Sequence, residues 1–550
     1  AGYCDGGDSG VLSGGAVMSK NCVFFRVVLD DNKMNALSQR NIDFKNGNLA
    51  KNVFYPNLDS IRKISGSPFT YWVSSDIIDK ISNFPELEDA GALVKVGMQT
   101  GDDFRFLRNF WEVPPQKIRQ REWIYYTKTD SAIPWYSPII LVVNWSGDGF
   151  EIRNLVDSQG KVRSAIRSPE LYGRSGFSYM LRSTRLVPYI VPRGCIPTAG
   201  RSQVYPHRDL EIDALVLCSS NFGSAIARFR GENFGRPKFQ ASMVQSIPFK
   251  KLSQSSREYF KEIIFEKIQN ARNNALFNET SLEFVKFDQL SVQIIDNENN
   301  FSTFLGRSNE ELFAREFGLS SSELAILEHD LQEAVSLRSD LSNEDDISAR
   351  NDENIIGPSA FISYVFGCIF GRWDVRYATG ERQTPDLPDP FAPLPACSPG
   401  MLQGEDGLPL EPHEIPSGYP LKVDPDGILV DDEGHSDDII ARIRDVLALI
   451  WGNRADTIEK EACEILGVKS LRDYFRKPSA GGFWDDHVKR YSKSRRKAPI
   501  YWLLQSAKKN YGIWIYYPRM DGDTLYKALR YAKDKLAMEA RRLEDLRKER

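Results

Sequence analysis

The side chains most able to do chemistry in this sequence are arginines. Between Gly91 and Lys250 there are 22 Lys/Arg, of which 16 are Arg. Arginine presents a rigid fork of donors that matches a phosphate or a guanine edge, whereas lysine acts as a point charge. Several arginines stand beside glycine or an aromatic residue: Arg105 and Arg108 in GDDFRFLRNFW, Arg174 in YGRSGFSY, and Arg182 and Arg185 in MLRSTRL. Arg193 and Arg201 flank the turn-rich GCIPTAG. This mixture suits loops that track a nucleic-acid groove, and it equally suits arginines that only solvate a β-rich fold. A second basic cluster, YSKSRRKAPIYW, sets Lys493, Arg495, Arg496 and Lys497 beside Tyr501 and Trp502. It reads either as a backbone clamp or as a solvated helix end.

Other chemistries find no support. The histidines at 207, 329, 413, 435 and 487 lie far apart, with no HxxxH or CxxC, so no metal site is expected. There is no GxxxxGK[ST] phosphate loop and no GxSxG elbow. Dispersed carboxylates could serve a nuclease, but the acidic runs at 343–354 and 431–438 look like solvated loops. No catalytic constellation is legible.

The whole chain sets the frame for these residues. Its 550 residues predict several domains with sizeable cores, and 41% hydrophobic with 27% charged residues exclude disordered and fibrous classes. No apolar run approaches the ~18 residues of a membrane span. Seven Cys without CxxC spacing give no disulfide framework, so a cytoplasmic protein is expected. The net charge of −4 conceals segments: residues 341–440 hold 5 Lys/Arg against 20 Asp/Glu, and residues 441–550 hold 26 against 15. Two basic bodies flank an acidic one, which suggests a polyanion partner.

The elements that must position these residues follow from pattern. CVFFRVVL (22–29), LVKVG, PIILVVNW, RLVPYIV and IDALVLC read as short strands. A helix with Ser75 as N-cap buries Ile77, Ile78, Ile81 and Phe84, and Ser219-Ser220-Asn221 offers caps for a helix over FGSAIARF. From about Leu252 helices dominate, followed by the polar linker SNEDDISARNDENIIG and the apolar helix FISYVFGCIFGRW, in which Gly367 and Gly371 allow close packing. Residues 384–425 are Pro-rich and acidic and read as extended over a surface. Beyond Asp437 the pattern is mostly helical, and Leu525, Leu529, Leu536, Leu543 and Leu546 read as the start of a coiled coil.

Longer strings carry a resemblance. SGSPFTYWVS, VKVGMQTGDDFRFLRNFWEV, VVNWSGDG, GRSGFSYMLRSTRLVPYIVPRGCIPTAGRSQVYP and GRPKFQASMVQSIPF resemble the C-terminal half of PglX-type adenine-specific DNA methyltransferases. So do ISYVFGCIFGRWDVRYATGERQTPDLPDPFAPLP, ACEILGVKSLRDYFRKP and RYSKSRRKAPIYWLLQS. These are enzymes of BREX-like phage-defence systems, related to type IIG restriction–modification proteins. The resemblance implies adenine N6 methylation with S-adenosylmethionine in the complete enzyme. The family's Gly-rich cofactor motif and Asn-Pro-Pro-Tyr motif have no counterpart here, because Pro114-Pro115 in EVPPQ lacks both the Asn before and the aromatic after. No cofactor is therefore expected on this chain, which reads as a fragment or one half of a split enzyme.

The expected fold class is α+β. Residues 1–70 are read as the tail of a Rossmann-like methyltransferase domain, and 71–250 as a β-rich target-recognition domain. Residues 251–355 would form a helical spacer, 356–520 an α-rich domain, and 521–550 the coiled-coil start. The resemblance puts DNA contacts on the arginines already named, Arg105, Arg108, Arg174, Arg182, Arg185, Arg193 and Arg201, and on Asn144, Gln203, Lys238 and Gln240. Asn144 and Gln203 could read adenine bidentately, though local backbone bonding is their commoner fate. Trp111 and Trp145 read as core anchors. The expected partners are double-stranded DNA, the absent methyltransferase module and further defence-system subunits, with no membrane. Two alternatives stand beside this reading: a non-catalytic interaction scaffold, and a type IIG restriction-enzyme fragment.

Overall fold

The computed structural model describes residues 2–4, 22–27, 30–47, 52–64, 66, 68, 70–128, 134–183, 185–230, 238–287, 293–294, 305–336, 355–477 and 479–549. It is α+β, with small antiparallel sheets set among helices. The polar linker after Ser336 falls almost wholly outside the described residues, as does most of the chain before Cys22.

Gly2–Cys4, Cys22–Phe25 and Val53–Phe54 form one antiparallel sheet. Ala92–Lys95, Gln203–Pro206, Gly176–Tyr179 and Pro188–Val191 form a second, and all but Ala92–Lys95 are buried along their whole length. A third sheet pairs Leu141–Asn144 with Leu107–Asn109 on one side and Trp123–Tyr125 on the other. Isolated parallel bridges, Met98 with Thr198 and Tyr126 with Ile196, tie the second sheet region to the third. These sheets carry most of the arginine loops.

Two large apolar cores organise the chain. One joins the N-terminal sheet and the four-stranded sheet to helices Gln254–Ala275, Arg307–Glu316 and Ser321–Ser336. The other joins Phe110, Trp111, Ile118 and Val142 to helix Pro358–Ile369 and the C-terminal elements. The arginine-rich segment and the C-terminal region therefore share buried surface.

Helix Ser75–Ile81 forms as expected, with Ile77, Ile78 and Ile81 buried, but its cap is Ser74, whose hydroxyl accepts the Ile77 N–H. Ser220 caps Asn221–Ala227 by accepting from the Gly223 N–H at 2.9 Å. IDALVLC is a helix, Glu211–Ser219, and not a strand. Residues Asp213–Ser219 are buried on every side, so the apolar run loses the period that separates a helix from a buried strand.

The region beyond Asp437 is less helical than its pattern suggests. Gly512–Tyr516 is the central strand of a sheet, pairing with Ile428–Asp431 on one side and Tyr501–Gln505 on the other, and the long helix Thr524–Lys548 covers this sheet through Ala528. The run 431–438 is no solvated loop: Asp431, Asp432, Asp437 and Asp438 are buried. Asp431 takes Arg472 and Arg476, Asp438 takes Arg472, and Asp432 takes Lys535 at 2.7 Å. Gly371 lies beyond helix Pro358–Ile369 at φ +67, so it ends the helix, while Gly367 makes room for the Trp373 indole and the Tyr501 hydroxyl rather than for a second helix. Cys22 is disulfide-bonded, a pairing that spacing did not suggest, while Cys195, Cys218, Cys368, Cys397 and Cys463 are free and buried.

Candidate nucleic-acid interface

The segment 102–112 is built from local rules. Asp102 caps the short helix Asp103–Phe106 by accepting the Arg105 N–H at 3.1 Å. Strand Leu107–Asn109 then pairs with Leu141–Asn144. Glu112 reaches back to accept the Asn109 N–H at 2.7 Å, closing a capping box. Trp111 is 8% exposed and donates its indole N–H to the Ala498 carbonyl at 3.0 Å.

That last bond spans the chain and brings the second basic cluster to the first. Ser492–Lys493 and Arg496–Lys497 form a hairpin closed by Ser494 and Arg495, both at positive φ. This two-residue hairpin takes left-handed backbone at both central positions, which Asn-Gly supplies cheaply and Ser-Arg does not. Arg496 holds the hairpin in place through a two-pronged pair with Glu112 at 2.9 and 3.1 Å. Its guanidinium also lies 5.7 Å from the Phe104 ring. Arg495 and Lys497 face solvent. Among the described residues, neither pairs with a carboxylate.

The other sequence-named residues fall into distinct environments. Arg105 is exposed and pairs with Glu151 at 2.6 Å. Arg108 turns back, donating to the carbonyls of Phe104 and Leu107 at 2.8 and 2.7 Å. Asn144 caps its own turn, with Oδ1 accepting the Ser146 N–H at 3.1 Å. The turn continues through Gly147, Asp148 and Gly149, all left-handed, and Asp148 is held there by the Trp145 indole and Arg153. A side chain at Gly149 would meet the Trp145 ring at 2.7 Å.

Arg174 is exposed above Tyr205, 5.9 Å from the ring centre. Gly173 exchanges backbone bonds with Gly194 and Cys195, which places Arg193 beside this loop. Arg182 and Lys238 form a backbone bridge and are both exposed, as is Gln240. Three residues turn inward. Arg185 donates to Asn221 at 2.7 Å; burial pulls its pKa down against the opposing carboxylates of Glu310 and Glu328. Arg201 is buried over Tyr189, and Gln203 is 1% exposed with its amide donated to the Arg174 carbonyl.

Two grooves connect these groups, and Arg121 lines both. One, of about 690 Å³, runs along Gln120, Arg121, Trp145 and Asp148; the other, of about 470 Å³, lies between Arg119, Arg121 and Arg193 and the Pro393–Ala396 stretch. Arg121 sits at φ +61 immediately beyond helix Pro115–Arg119, where glycine is the usual residue. Close by, Glu211 is pushed up to about 7 by burial and by Asp389, against the pull of Arg208 and Arg193. Sequence reasoning missed Arg119 and Arg121, which carry no motif, and it missed the exposed rings of Phe104 and Phe150. The left-handed demand on Arg121 arises only in the folded backbone.

Every strand ladder among the described residues is antiparallel, whereas dinucleotide-type cradles use the turn after a parallel strand. Pro114-Pro115 is spent on starting a helix. No group of three metal-ligating side chains occurs among the described residues.

No protein-family model matches the chain. The adenine-specific methyltransferase BrxX of Escherichia coli O9:H4 (strain HS) is 24% identical over 547 residues, covering 92% of this chain and 41% of BrxX. The adenine-specific methyltransferase PglX of Lacticaseibacillus casei (strain Zhang) is 23% identical over 513 residues, covering 86% and 38% respectively. The chain thus spans about two fifths of the length of these curated relatives. A solved structure of the Type IIL restriction–modification enzyme MmeI in complex with DNA aligns with 46% of this chain and 33% of its own, at TM-score 0.26 and 15% identity.

Proposed function

We propose that this chain, similar over most of its length to two adenine-specific methyltransferases each far longer than itself, supplies DNA recognition to an adenine-specific, S-adenosylmethionine-dependent DNA methyltransferase of phage defence or restriction–modification, and that methyl transfer resides in residues outside it. The carrying observation is the basic hairpin pinned by Glu112–Arg496 against the segment bearing Phe104 and Arg105. It presents Arg495 and Lys497 to solvent with no carboxylate partner among the described residues, as suits phosphate contact.

On this reading the domain layout expected for 71–250 and 356–520 serves one task. The arginine loops grip one stretch of duplex, and the C-terminal hairpin adds backbone contacts beside them. The adenine is then drawn from the stack by a module that binds the cofactor, at a cost of a few kcal/mol that the grip offsets. Anisotropy of a labelled duplex titrated with the purified chain tests this. Affinity should fall steeply as salt rises; a chain that binds no duplex at about 50 mM salt would refute the reading.

A second reading rests on the long C-terminal helix. Leu525, Leu529, Leu536, Leu543 and Leu546 are each at least half exposed at coiled-coil spacing. This supports a docking role toward another subunit, alongside DNA recognition or in place of it.

A further inference from the structure

Phe104 is 82% exposed, while Phe106 two residues later is buried at 1%. The ring does not hang from a loose loop. Its helix is capped by Asp102, and the Phe104 carbonyl takes the Arg108 guanidinium at 2.8 Å. The adjoining Asp103 accepts from the Thr100 hydroxyl and pairs with Lys128. Burial pushes the Asp103 carboxyl up, and the Lys128 and Thr100 contacts outweigh it, so the group stays below its usual range and charged. A large apolar ring is thus held out to solvent on a backbone that cannot retract it.

Its surroundings carry both signs: Asp102 and Asp103 precede it, Arg105 pairs with Glu151, and Arg496, which faces the ring at 5.7 Å, pairs with Glu112. Arg495 and Lys497, on the same hairpin as Arg496, face solvent with no carboxylate partner among the described residues. An apolar ring beside such cations fits a ligand with anionic edges and a stacked aromatic interior. Duplex DNA has that layering, with phosphates outside and bases within. A protein pocket for phenylalanine has no need of the flanking arginines.

We infer that Phe104 is a wedge that enters the base stack of bound duplex and fills the space an unstacked base leaves. The inference rests on the DNA-recognition reading above. Arg495 and Lys497 anchor phosphates beside it, and the ring replaces the stacking that the opened step loses. A rigid aromatic does this at low cost, because it loses little freedom on binding.

The test compares two duplexes of one sequence, one intact and one with a central abasic site, which already carries the gap. The full chain should bind the abasic duplex about ten-fold more tightly. Phe104→Ala should bind both equally with its unfolding midpoint unchanged, and Phe104→Trp should keep the preference. The inference is overturned if Phe104→Ala retains the preference, or if the unaltered chain binds both duplexes alike. Absence of binding to either duplex at low salt sinks the recognition reading itself and takes this inference with it.

Discussion

The sharpest prediction concerns Arg495 and Lys497 replaced together by alanine. Both side chains face solvent at the tip and the end of the hairpin, and neither makes an ion pair within the described residues. Their removal should leave the unfolding midpoint within about 0.5 kcal/mol of the parent, as for other surface changes without partners. If each meets one phosphate, the log–log salt slope of affinity should shrink by about 0.9 per residue, or about 1.8 for the pair. A four-fold rise from about 50 to about 200 mM salt costs one such contact about 3.5-fold, so the two together account for about 12-fold. Anisotropy titrations at four salt concentrations would measure this directly. Arg496→Ala is the informative contrast, because it also strips the Glu112 pair and so should lower stability as well as affinity. A double variant that binds DNA with the parent's salt slope would refute the assignment of these residues to phosphate contact.

Three further outcomes test the framework that holds the interface. Gly367→Ala would place a methyl 2.2 Å from Cδ1 of Trp373, a fully buried indole packed on Phe284, so overpacking should outweigh the helix-propensity gain by about 2 kcal/mol in urea unfolding. Asp431→Ala should cost about 3–5 kcal/mol, since the buried carboxylate holds both Arg472 and Arg476; a loss under about 1 kcal/mol would show that the clamp is dispensable. His487 is buried as a neutral acceptor of the Ile500 and Tyr501 N–H groups, and burial, then Arg490 and Arg372, hold its pKa well below 6.5. The unfolded chain therefore takes up a proton below about pH 6.5 that the folded chain does not, and stability should fall there by about 1.4 kcal/mol per pH unit. Burial raises Glu211 and Glu310 to about 7 and about 8, and these groups act oppositely over the same window. The His487 contribution is accordingly the part of the slope that His487→Gln removes.

Much of the fold was legible where local chemistry acts alone. The cap at residue 220, the buried stripe of Ile77, Ile78 and Ile81, and the long amphipathic helices follow from short-range pattern, while the cap expected at Ser75 falls one residue earlier. Trp111 and Trp145 anchor the core as their size suggests. The failures share a cause. Glu211–Ser219 carries no period because it is surrounded, and the strand at 512–516, onto which 501–505 pairs, depends on Ile428–Asp431, about eighty residues earlier. The run DDEGHSDD reads as a solvated loop because its cations, Arg472, Arg476 and Lys535, come from distant parts of the chain.

The candidate interface divides the same way. Composition and charge by themselves determined that this chain carries concentrated arginine, two basic bodies and no legible catalytic constellation, since those are properties of residue type. Its long shared strings also determined its likeness to adenine-specific methyltransferases. Tertiary structure alone decided which of the polar side chains are available to a partner. Arg185, Arg201 and Gln203 turn inward, Arg496 is committed to Glu112, and Arg495 and Lys497 are left facing solvent. The physical reason is that charge is local to a residue, whereas its neutralisation depends on which carboxylate the fold brings within about 4 Å.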